Sequence, residues 1–290
     1  MKKEKNIGAN CILTIVSLLC IIPFILVLSI SFTGEESLTR YGYQLIPKDF
    51  SIEAYRYIFS DPSQIIQSYM VTIASTVIGT FLSVLIMALL AYPLSRPDYK
   101  AKTAVSFYVF FTMLFSGGLI PSYILITQYL HLKDSFLVLI LPGMVIPFHV
   151  ILLRTFFQQL PTELFDAAKI DGCSELQVLG KIVLPLSTPV FATVALLGSL
   201  IRWNDWYTCL LYINDDRLTT LQYLLQRIMK NVELIKTQMT NMPPNVAAIK
   251  LPTESVRMAL AVVVSGPMLL VFPFFQKYFA KGLTVGSVKG

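Results

Sequence analysis

Residues 10–32 read NCILTIVSLLCIIPFILVLSISF, a run without a single charged side chain. A membrane-crossing helix needs about 20 apolar residues to span roughly 30 Å of hydrocarbon. The run is longer than the apolar core of an ordinary secretion signal, and no small-residue cleavage site is well defined around Ser29 and Ser31. We therefore favour an uncleaved first membrane helix over a signal peptide.

Five further apolar segments of similar length follow. We place them at about residues 69–94, 104–127, 136–153, 189–206 and 256–275. Several contain prolines, which membrane helices tolerate when neighbouring helices satisfy the freed carbonyl groups. The sequence thus predicts an all-α, polytopic membrane protein with six transmembrane helices, arranged as one domain over residues 1–290.

The composition supports a membrane protein. Hydrophobic residues make up 55% of the chain and charged residues 14%, with a mean hydropathy of +0.66. A soluble domain has about 25% charged residues. The net charge of +6 does not indicate a nucleic-acid partner, because the basic residues form short clusters beside apolar runs. The four cysteines lack metal-ligand spacing, so no metal site is expected.

Lysine and arginine near the ends of the apolar segments predict the orientation, because cytoplasmic flanks are rich in these residues. They accumulate on one side of the predicted membrane. These residues are Lys2, Lys3, Lys5, Arg96, Lys100, Lys102, Arg154, Lys169, Lys181, Lys277, Lys281 and Lys289. Both termini and a loop at residues 155–185 are therefore expected in the cytoplasm, and residues 207–255 are expected to form an extracellular loop.

The loop at residues 155–185 is predicted to contain two short helices. Residues 161–172 read PTELFDAAKIDG, with Glu163 in the first helical turn and Gly172 as the helix terminator. Ser174 followed by Gln177 three residues later predicts a capping box for the second helix. Physical reasoning leaves two readings of the loop open: an ordered docking element, or an amphipathic segment lying in the membrane interface.

The same loop carries a recognisable pattern. Asp166-Ala167-Ala168, then Gly172, then the run Ile182 to Pro185 resembles the EAA loop of binding-protein-dependent ABC importer permeases. That pattern is Glu-Ala-Ala, three residues, Gly, nine residues and Ile-x-Leu-Pro, placed before the penultimate span. Asp166 stands where the pattern has Glu, so its carboxylate is one methylene closer to the backbone.

The whole chain is similar to carbohydrate-uptake permeases of the MalG type, and within them to the YtcP/LplC-like group, which is associated with complex saccharides. The resemblance implies a type I ABC importer permease fold in a bacterial cytoplasmic membrane. It further implies import of a sugar or oligosaccharide by alternating access, a second homologous permease forming a heterodimer, a cytoplasmic ABC ATPase dimer and an extracellular solute-binding protein. In the family, the region of the outer loop at residues 207–255, which includes residues 241–245, can touch that binding protein; a surface loop without a special partner is the other reading.

The resemblance also implies which residues couple ATP hydrolysis to transport. In the family, a short helix of this loop docks into a groove on the ATPase. Asp166 would meet a basic group there, Ala167 and Ala168 would permit close packing, and Gly172 would set the angle between the two helices. The predicted coupling residues are Glu163, Asp166, Ala167, Ala168, Gly172, Ile182, Leu184 and Pro185.

The chain has no nucleotide-binding motif of its own. It lacks Gly-x-x-x-x-Gly-Lys-Ser/Thr, so we expect ATP and Mg²⁺ on the partner ATPase, no cofactor on this chain, and no enzymatic activity of its own. The alternative is an ion-gradient-driven secondary transporter. Such proteins often have inverted repeats and buried ionisable residues at mid-membrane. No repeat is found here, and acidic residues are nearly absent from the predicted spans. An intramembrane enzyme is a third reading without a convincing set of catalytic groups.

Two other places could carry function. Trp203, Asn204 and Asp205 end the fifth apolar segment and form a candidate substrate pathway, with Trp203 stacking on a sugar ring and Asn204 binding hydroxyl groups. The aromatic residues here are also compatible with an ordinary interfacial belt. His149 lies inside the fourth segment, where an interhelical hydrogen-bonding role is favoured over a proton relay.

Overall fold

The computed structural model describes residues 7–60, 62–240 and 253–285. These residues form helices, and the β feature among them is an isolated antiparallel bridge between Thr33 and Phe50. The expected all-α class is confirmed. The α-helices are α1 (Ile7–Ser31), α2 (Glu35–Tyr41), α3 (Glu53–Ile58), α4 (Pro62–Ser95), α5 (Lys102–Leu114), α6 (Leu119–Ile124), α7 (Pro147–Phe157), α8 (Thr162–Ile170), α9 (Glu175–Val178), α10 (Leu184–Leu186), α11 (Thr188–Trp203), α12 (Tyr207–Tyr212), α13 (Leu221–Thr240) and α14 (Thr253–Val285).

Three stretches among the described residues are long and apolar enough to cross a membrane as single helices. They are Asn10–Ser31, Pro62–Ser95 and Glu254–Phe274. Two more candidates are bent: α5 meets the segment Leu119–Tyr129 at 112°, and the segment Glu175–Leu186 meets α11 at 83°. Counting each bent pair as one span gives up to five by length and composition, compared with the six expected.

The predicted third and fourth spans are not straight helices. Within residues 104–127, the chain breaks after α5, where Gly118 has φ +85°. Within residues 136–153, a 3₁₀ turn at Phe136–Leu139 is followed by a break, with Gly143 at φ +68°, before α7 begins at Pro147. Positive φ is incompatible with a right-handed helix, and proline favours a first helical turn, so these residues divide the apolar segments.

The predicted extracellular loop at residues 207–255 contains regular structure. α12 follows shortly after α11, and the amphipathic α13 spans Leu221–Thr240. Residues 241–252 lie outside the described residues, and so does the predicted contact with a binding protein at residues 241–245. The basic residues of the N-terminal six positions and of positions 286–290 also lie outside them.

The chain forms two compact units, the first consisting of residues 1–66 and 224–267. In this unit the Phe32 ring stacks on Phe50 and Tyr55, with centroids 5.4 and 4.9 Å away. The Glu35 carboxylate accepts hydrogen bonds from the backbone amides of Glu254 and Ser255 at 3.2 and 3.3 Å. A carboxylate at a helix N-terminus satisfies free amides and complements the helix dipole, so Glu35 stabilises the start of α14.

The second unit comprises residues 67–223 and 268–290. Its main hydrophobic cluster joins the end of α4 with α5, α7, α11 and the loop at residues 155–185. Six buried side chains of the loop belong to this cluster: Phe157, Phe165, Ala168, Val178, Leu179 and Val183. Burial of apolar area contributes about 25 cal/mol per Å², so the loop is held in place by the helices it connects.

Candidate functional site

The first helix of the loop, α8, has one buried face and one exposed face. Phe165 and Ala168 are 5% and 4% exposed and pack inside the chain. Asp166 and Ala167 are exposed, and Ile170 is 87% exposed. Glu163, in the first turn, is exposed as well. The three-residue spacing of the buried pair is that of a helix surface, so the remaining residues form a free face.

Gly172 ends α8 in a Schellman motif. Its φ is +73°, its amide donates to the Lys169 carbonyl at 3.1 Å, and the Cys173 amide donates to the Ala168 carbonyl at 2.9 Å. This pair of bonds satisfies carbonyl groups that the helix end would leave free. The predicted helix stop at Gly172 is thus confirmed, and its geometry requires a residue that accepts the left-handed conformation.

The second helix, α9, begins with the predicted capping box. The Ser174 amide donates to the Gln177 side-chain oxygen at 2.8 Å, and the Gln177 amide donates to the Ser174 hydroxyl at 3.4 Å. Two amides of the helix start are thereby satisfied by each other's side chains. With the Schellman motif two residues earlier, the turn between α8 and α9 is defined on both sides.

The rest of the motif forms the corner into α11. A π-helical turn at Leu179–Val183 follows α9, and Ile182 in it packs against the main hydrophobic cluster. Leu184 and Pro185 are exposed in the short α10, and the chain then bends by 83°. Proline has no amide donor, so Pro185 allows the regular hydrogen-bond ladder to be interrupted near this corner.

The helix α8 is also held against the connection between α4 and α5, at residues 96–101. The Arg96 guanidinium lies over the Phe165 ring at 4.2 Å, and the Lys169 ammonium bonds the Asp98 carboxylate at 3.0 Å. The hydrogen bond from Lys169 is the main reason why the pKa of Asp98 is below its usual value. The Lys169–Asp98 ion pair is half exposed, so it contributes only about 0.2–1 kcal/mol to stability. The Arg96 side chain is only 12% exposed, so its cation–π contact with Phe165 contributes more, about 1–2 kcal/mol.

A third contact reaches the second helix. The Tyr92 hydroxyl near the end of α4 donates a hydrogen bond to the Glu175 carboxylate in the first turn of α9. We call the three contacts Arg96–Phe165, Lys169–Asp98 and Tyr92–Glu175 the latch. The latch ties both helices of the loop to the end of one long apolar helix, α4, and to the residues that follow it.

The exposed face of α8 and α9 carries acidic and large apolar side chains. Its acidic and apolar side chains can contact a protein partner, while the part of the chain that the structure describes contains no cluster of His, Cys, Asp and Glu able to hold a metal ion. Leu176 at the start of α9 is 72% exposed and extends the apolar part of the face formed by Ile170. Large exposed apolar side chains next to charged residues are typical of an interaction surface.

The predicted substrate-pathway residues lie at the corner after α11, but their side chains have local partners. Trp203 is 5% exposed, so its ring is not accessible for stacking on a sugar in this conformation. The Asn204 amide donates to the Leu200 carbonyl at 2.8 Å, and its oxygen accepts from Gln222 at 2.9 Å. The Asp205 carboxylate accepts from the Thr208 amide at 3.0 Å, at the start of α12. A role of Asn204 in binding hydroxyl groups stays a prediction.

Sequence reasoning assigned no role to Arg202, which lies in the apolar α11. Its guanidinium donates to the carbonyls of Ile140 and Leu139 at 3.1 and 3.4 Å, where the 3₁₀ turn of the broken fourth segment ends. Gly79 of α4 makes room for it, because a Cβ there would lie 2.9 Å from the Arg202 Nη1 atom. A charge within an apolar run was the available signal.

Comparisons with known proteins identify the family of this chain. The family model described as binding-protein-dependent transport system inner membrane component matches residues 77–285. The chain is 44% identical over 278 residues to the polygalacturonan/rhamnogalacturonan transport system permease protein YtcP of Bacillus subtilis (strain 168), with 94% of each chain covered. It is 42% identical to Protein LplC of the same organism, over 95% of this chain and 91% of that protein.

A solved structure is similar over nearly the whole chain. The crystal structure of a bacterial ABC transporter involved in the import of the acidic polysaccharide alginate contains a chain with a TM-score of 0.80 and 28% identity, covering 96% of this chain and 99% of that one. The fold of the present chain is that of a type I importer permease. The protein is a multi-pass membrane protein that belongs to the family of inner membrane components of binding-protein-dependent transport systems.

Proposed function

We propose that this chain is the membrane-spanning subunit of an ATP-driven importer that carries an acidic oligosaccharide, released from a complex polysaccharide, across a bacterial cytoplasmic membrane. The observation that carries the proposal is the free face of α8, presented by a loop that is latched to the membrane helices. The acidic substrate class is supported by two similar proteins, one described as a transporter of polygalacturonan/rhamnogalacturonan and the other as part of an importer of the acidic polysaccharide alginate.

The importer needs other chains. ATP and Mg²⁺ bind to a cytoplasmic ABC ATPase dimer, because this sequence lacks the phosphate-binding loop motif. A second, homologous permease completes the pathway as a heterodimer, and an extracellular solute-binding protein delivers the saccharide. In this arrangement the loop at residues 155–185 and both termini face the cytoplasm, and residues 207–255 face outward.

The loop couples the ATPase to the spans through its two faces. Glu163, Asp166 and Ala167 contact the ATPase groove, together with the exposed Ile170. Ala168 acts on the inner face, where it packs against the chain's own hydrophobic cluster. Closure of the ATPase dimer displaces α8, and the latch transfers the displacement to α4, so that access changes from one side of the membrane to the other.

Residues after Ala168 in the motif fix the turn between α8 and α9 and the corner into α11. Gly172 sets the angle between α8 and α9 through its positive φ. Ile182, Leu184 and Pro185 form the corner that leads into α11. Movement of the first helix is therefore passed on through a defined turn and not absorbed by a flexible connection.

An ion-gradient-driven transporter is the alternative mechanism. Arg202 is the feature that favours it, because an ionisable side chain inside a span often marks a coupling-ion pathway. Its hydrogen bonds to the carbonyls of Ile140 and Leu139 give it a structural role that needs no ion.

The test is uptake in proteoliposomes that contain this chain with its partner permease, ATPase and binding protein. The probes are oligogalacturonides, alginate oligosaccharides and neutral malto-oligosaccharides, each with and without ATP and binding protein. We expect ATP-dependent uptake of one acidic class that requires the binding protein. Uptake of neutral sugars alone would remove the acidic substrate class. Uptake driven by an ion gradient without ATP would establish the alternative mechanism.

A further inference from the structure

An apolar groove lies between α5 and α7 beside the end of α4. Its volume is about 300 Å³, and its walls include Phe107, Phe110, Val150 and Ile151. Phe107 and Phe110 of α5 are 67% and 50% exposed, so the groove is open to the surroundings on the side of these two rings. Elongated apolar clefts of this size are large enough for a small ligand or part of a lipid chain.

The groove ends at a positive charge whose hydrogen-bonding capacity is largely unused. Arg154, in the last turn of α7, lines the groove and donates from Nη1 to the Ser106 hydroxyl at 3.3 Å. Its Nε atom is buried and has no hydrogen-bond partner among the described residues. A guanidinium offers five N–H donors and does not lose its proton, so burial without acceptors is costly.

The lining supplies no countercharge for Arg154. Among the residues that line the groove, Arg154 is the only charged one, and Ser106 is the only other side chain with a polar group. An oxyanion entering at this end would accept charge-assisted hydrogen bonds from the guanidinium. An apolar tail attached to the anion would lie between the aromatic side chains of α5 and the aliphatic side chains of α7.

The position in the chain fits the polar end of a membrane helix. α7 ends three residues after Arg154, α5 begins at Lys102 one turn before Ser106, and the loop at residues 155–185 follows directly. Basic pockets between membrane helices at the cytoplasmic side are suited to anionic lipid head groups.

We propose that the groove binds one anionic phospholipid, with the phosphate on Arg154 and an acyl chain along Phe107, Phe110 and Ile151. The bound head group accepts hydrogen bonds from the Arg154 guanidinium and fixes the end of α7, from which the coupling loop starts. This binding does not depend on which saccharide is transported or on how transport is energised.

The test uses the whole complex, purified with its partner chains into nanodiscs of phosphatidylcholine with a graded fraction of phosphatidylglycerol. Native mass spectrometry counts the phosphatidylglycerol molecules that stay bound after release of the complex. We expect Arg154→Gln to lower the apparent affinity of one retained molecule by about tenfold to a hundredfold, the loss of a hydrogen bond to a charged group. Lys100→Gln, which removes an exposed cation of the neighbouring α4–α5 connection, should leave retention unchanged.

A second variant tests the apolar part of the site without touching the charge. Ile151→Phe fills the groove and should also release the lipid. Co-purification of the partner chains and a single symmetric elution peak serve as the check that the variant folds. Equal retention in wild type, Arg154→Gln and Ile151→Phe would overturn the proposal. A photo-crosslinking residue at position 107 that couples to the partner permease and not to lipid would also overturn it and assign the groove to a subunit interface.

Discussion

Replacing Gly172 by valine is expected to uncouple ATP hydrolysis from uptake while leaving the protein inserted in the membrane. The φ of Gly172 is +73°. A residue with a Cβ atom pays about 1–2 kcal/mol in this left-handed region, and β-branched residues are the least tolerant of it. A penalty of this size shifts the ratio of the native turn to its alternatives by about 5- to 30-fold.

The structure isolates the backbone as the cause. A Cβ built on Gly172 would meet no atom within 4 Å, so crowding does not contribute. Gly180 offers a matched control, because a Cβ there also meets nothing within 4 Å and the residue lies in a helical turn without a positive φ. Gly172→Asn is a second control, since asparagine accepts the left-handed region more readily than other side chains.

The assay is ATP-dependent saccharide uptake in proteoliposomes, together with the amount of ATPase that co-purifies with the permease. Gly172→Val should reduce uptake per ATP by about the 5- to 30-fold calculated from the turn penalty. Gly180→Val and Gly172→Asn should stay near wild type. Normal uptake by Gly172→Val would refute the role of the turn, and an equal loss in Gly180→Val would show that added bulk, not backbone strain, is responsible.

Three further outcomes follow from contacts of the same unit. Ala168→Leu should lower the free energy of unfolding by about 1–3 kcal/mol, because the added side chain overpacks the buried face of α8. Ala167→Leu should leave stability unchanged and weaken co-purification of the ATPase, because Ala167 lies on the exposed face. The reverse pattern would show that the two faces of α8 are misassigned. Tyr92→Phe should lower uptake per ATP with normal ATPase binding, because it removes only the latch contact to α9. The Asn214 amide donates a hydrogen bond to the Asp134 carboxylate, and this bond is the main cause of the lowered pKa of Asp134. Asp134→Asn should therefore speed hydrogen exchange of the Asn214 amide by about threefold to tenfold. In the unchanged protein the protection is present at neutral pH and is lost only as pH falls through the lowered pKa of Asp134, below the usual value of about 3.9. Loss of protection already near neutral pH would contradict this assignment.

The helix ends within the loop at residues 155–185 were predictable from the sequence. The helix stop at Gly172 and the capping box of Ser174 and Gln177 depend on residues within five positions of each other, so their spacing alone specifies the hydrogen bonds. The all-α class was predictable for a similar reason, since the length of an apolar run is itself a local property.

Contacts between distant segments were not predictable. Lys169 and Asp98 are 71 positions apart, and Tyr92 and Glu175 are 83 positions apart, so nothing in their neighbourhoods indicates the pairing. The glycines at positions 118 and 143 are visible in the sequence, but a glycine in an apolar segment can produce either a kink or a complete break in the helix. Whether a span bends or divides depends on neighbours that satisfy the freed backbone groups, as Arg202 does for the turn that ends at Leu139.

The two adjacent alanines of the motif show what a sequence pattern leaves undecided. Ala167 and Ala168 look equivalent in the sequence, and a docking role was expected of both. One helical step rotates a side chain by about 100°, so only Ala167 lies on the free face, while Ala168 packs beside Phe165 within the chain's own core. The small side chains therefore meet two different demands. Ala168 permits close packing of α8 against the chain's own helices, and we propose that Ala167 permits close approach of the partner ATPase.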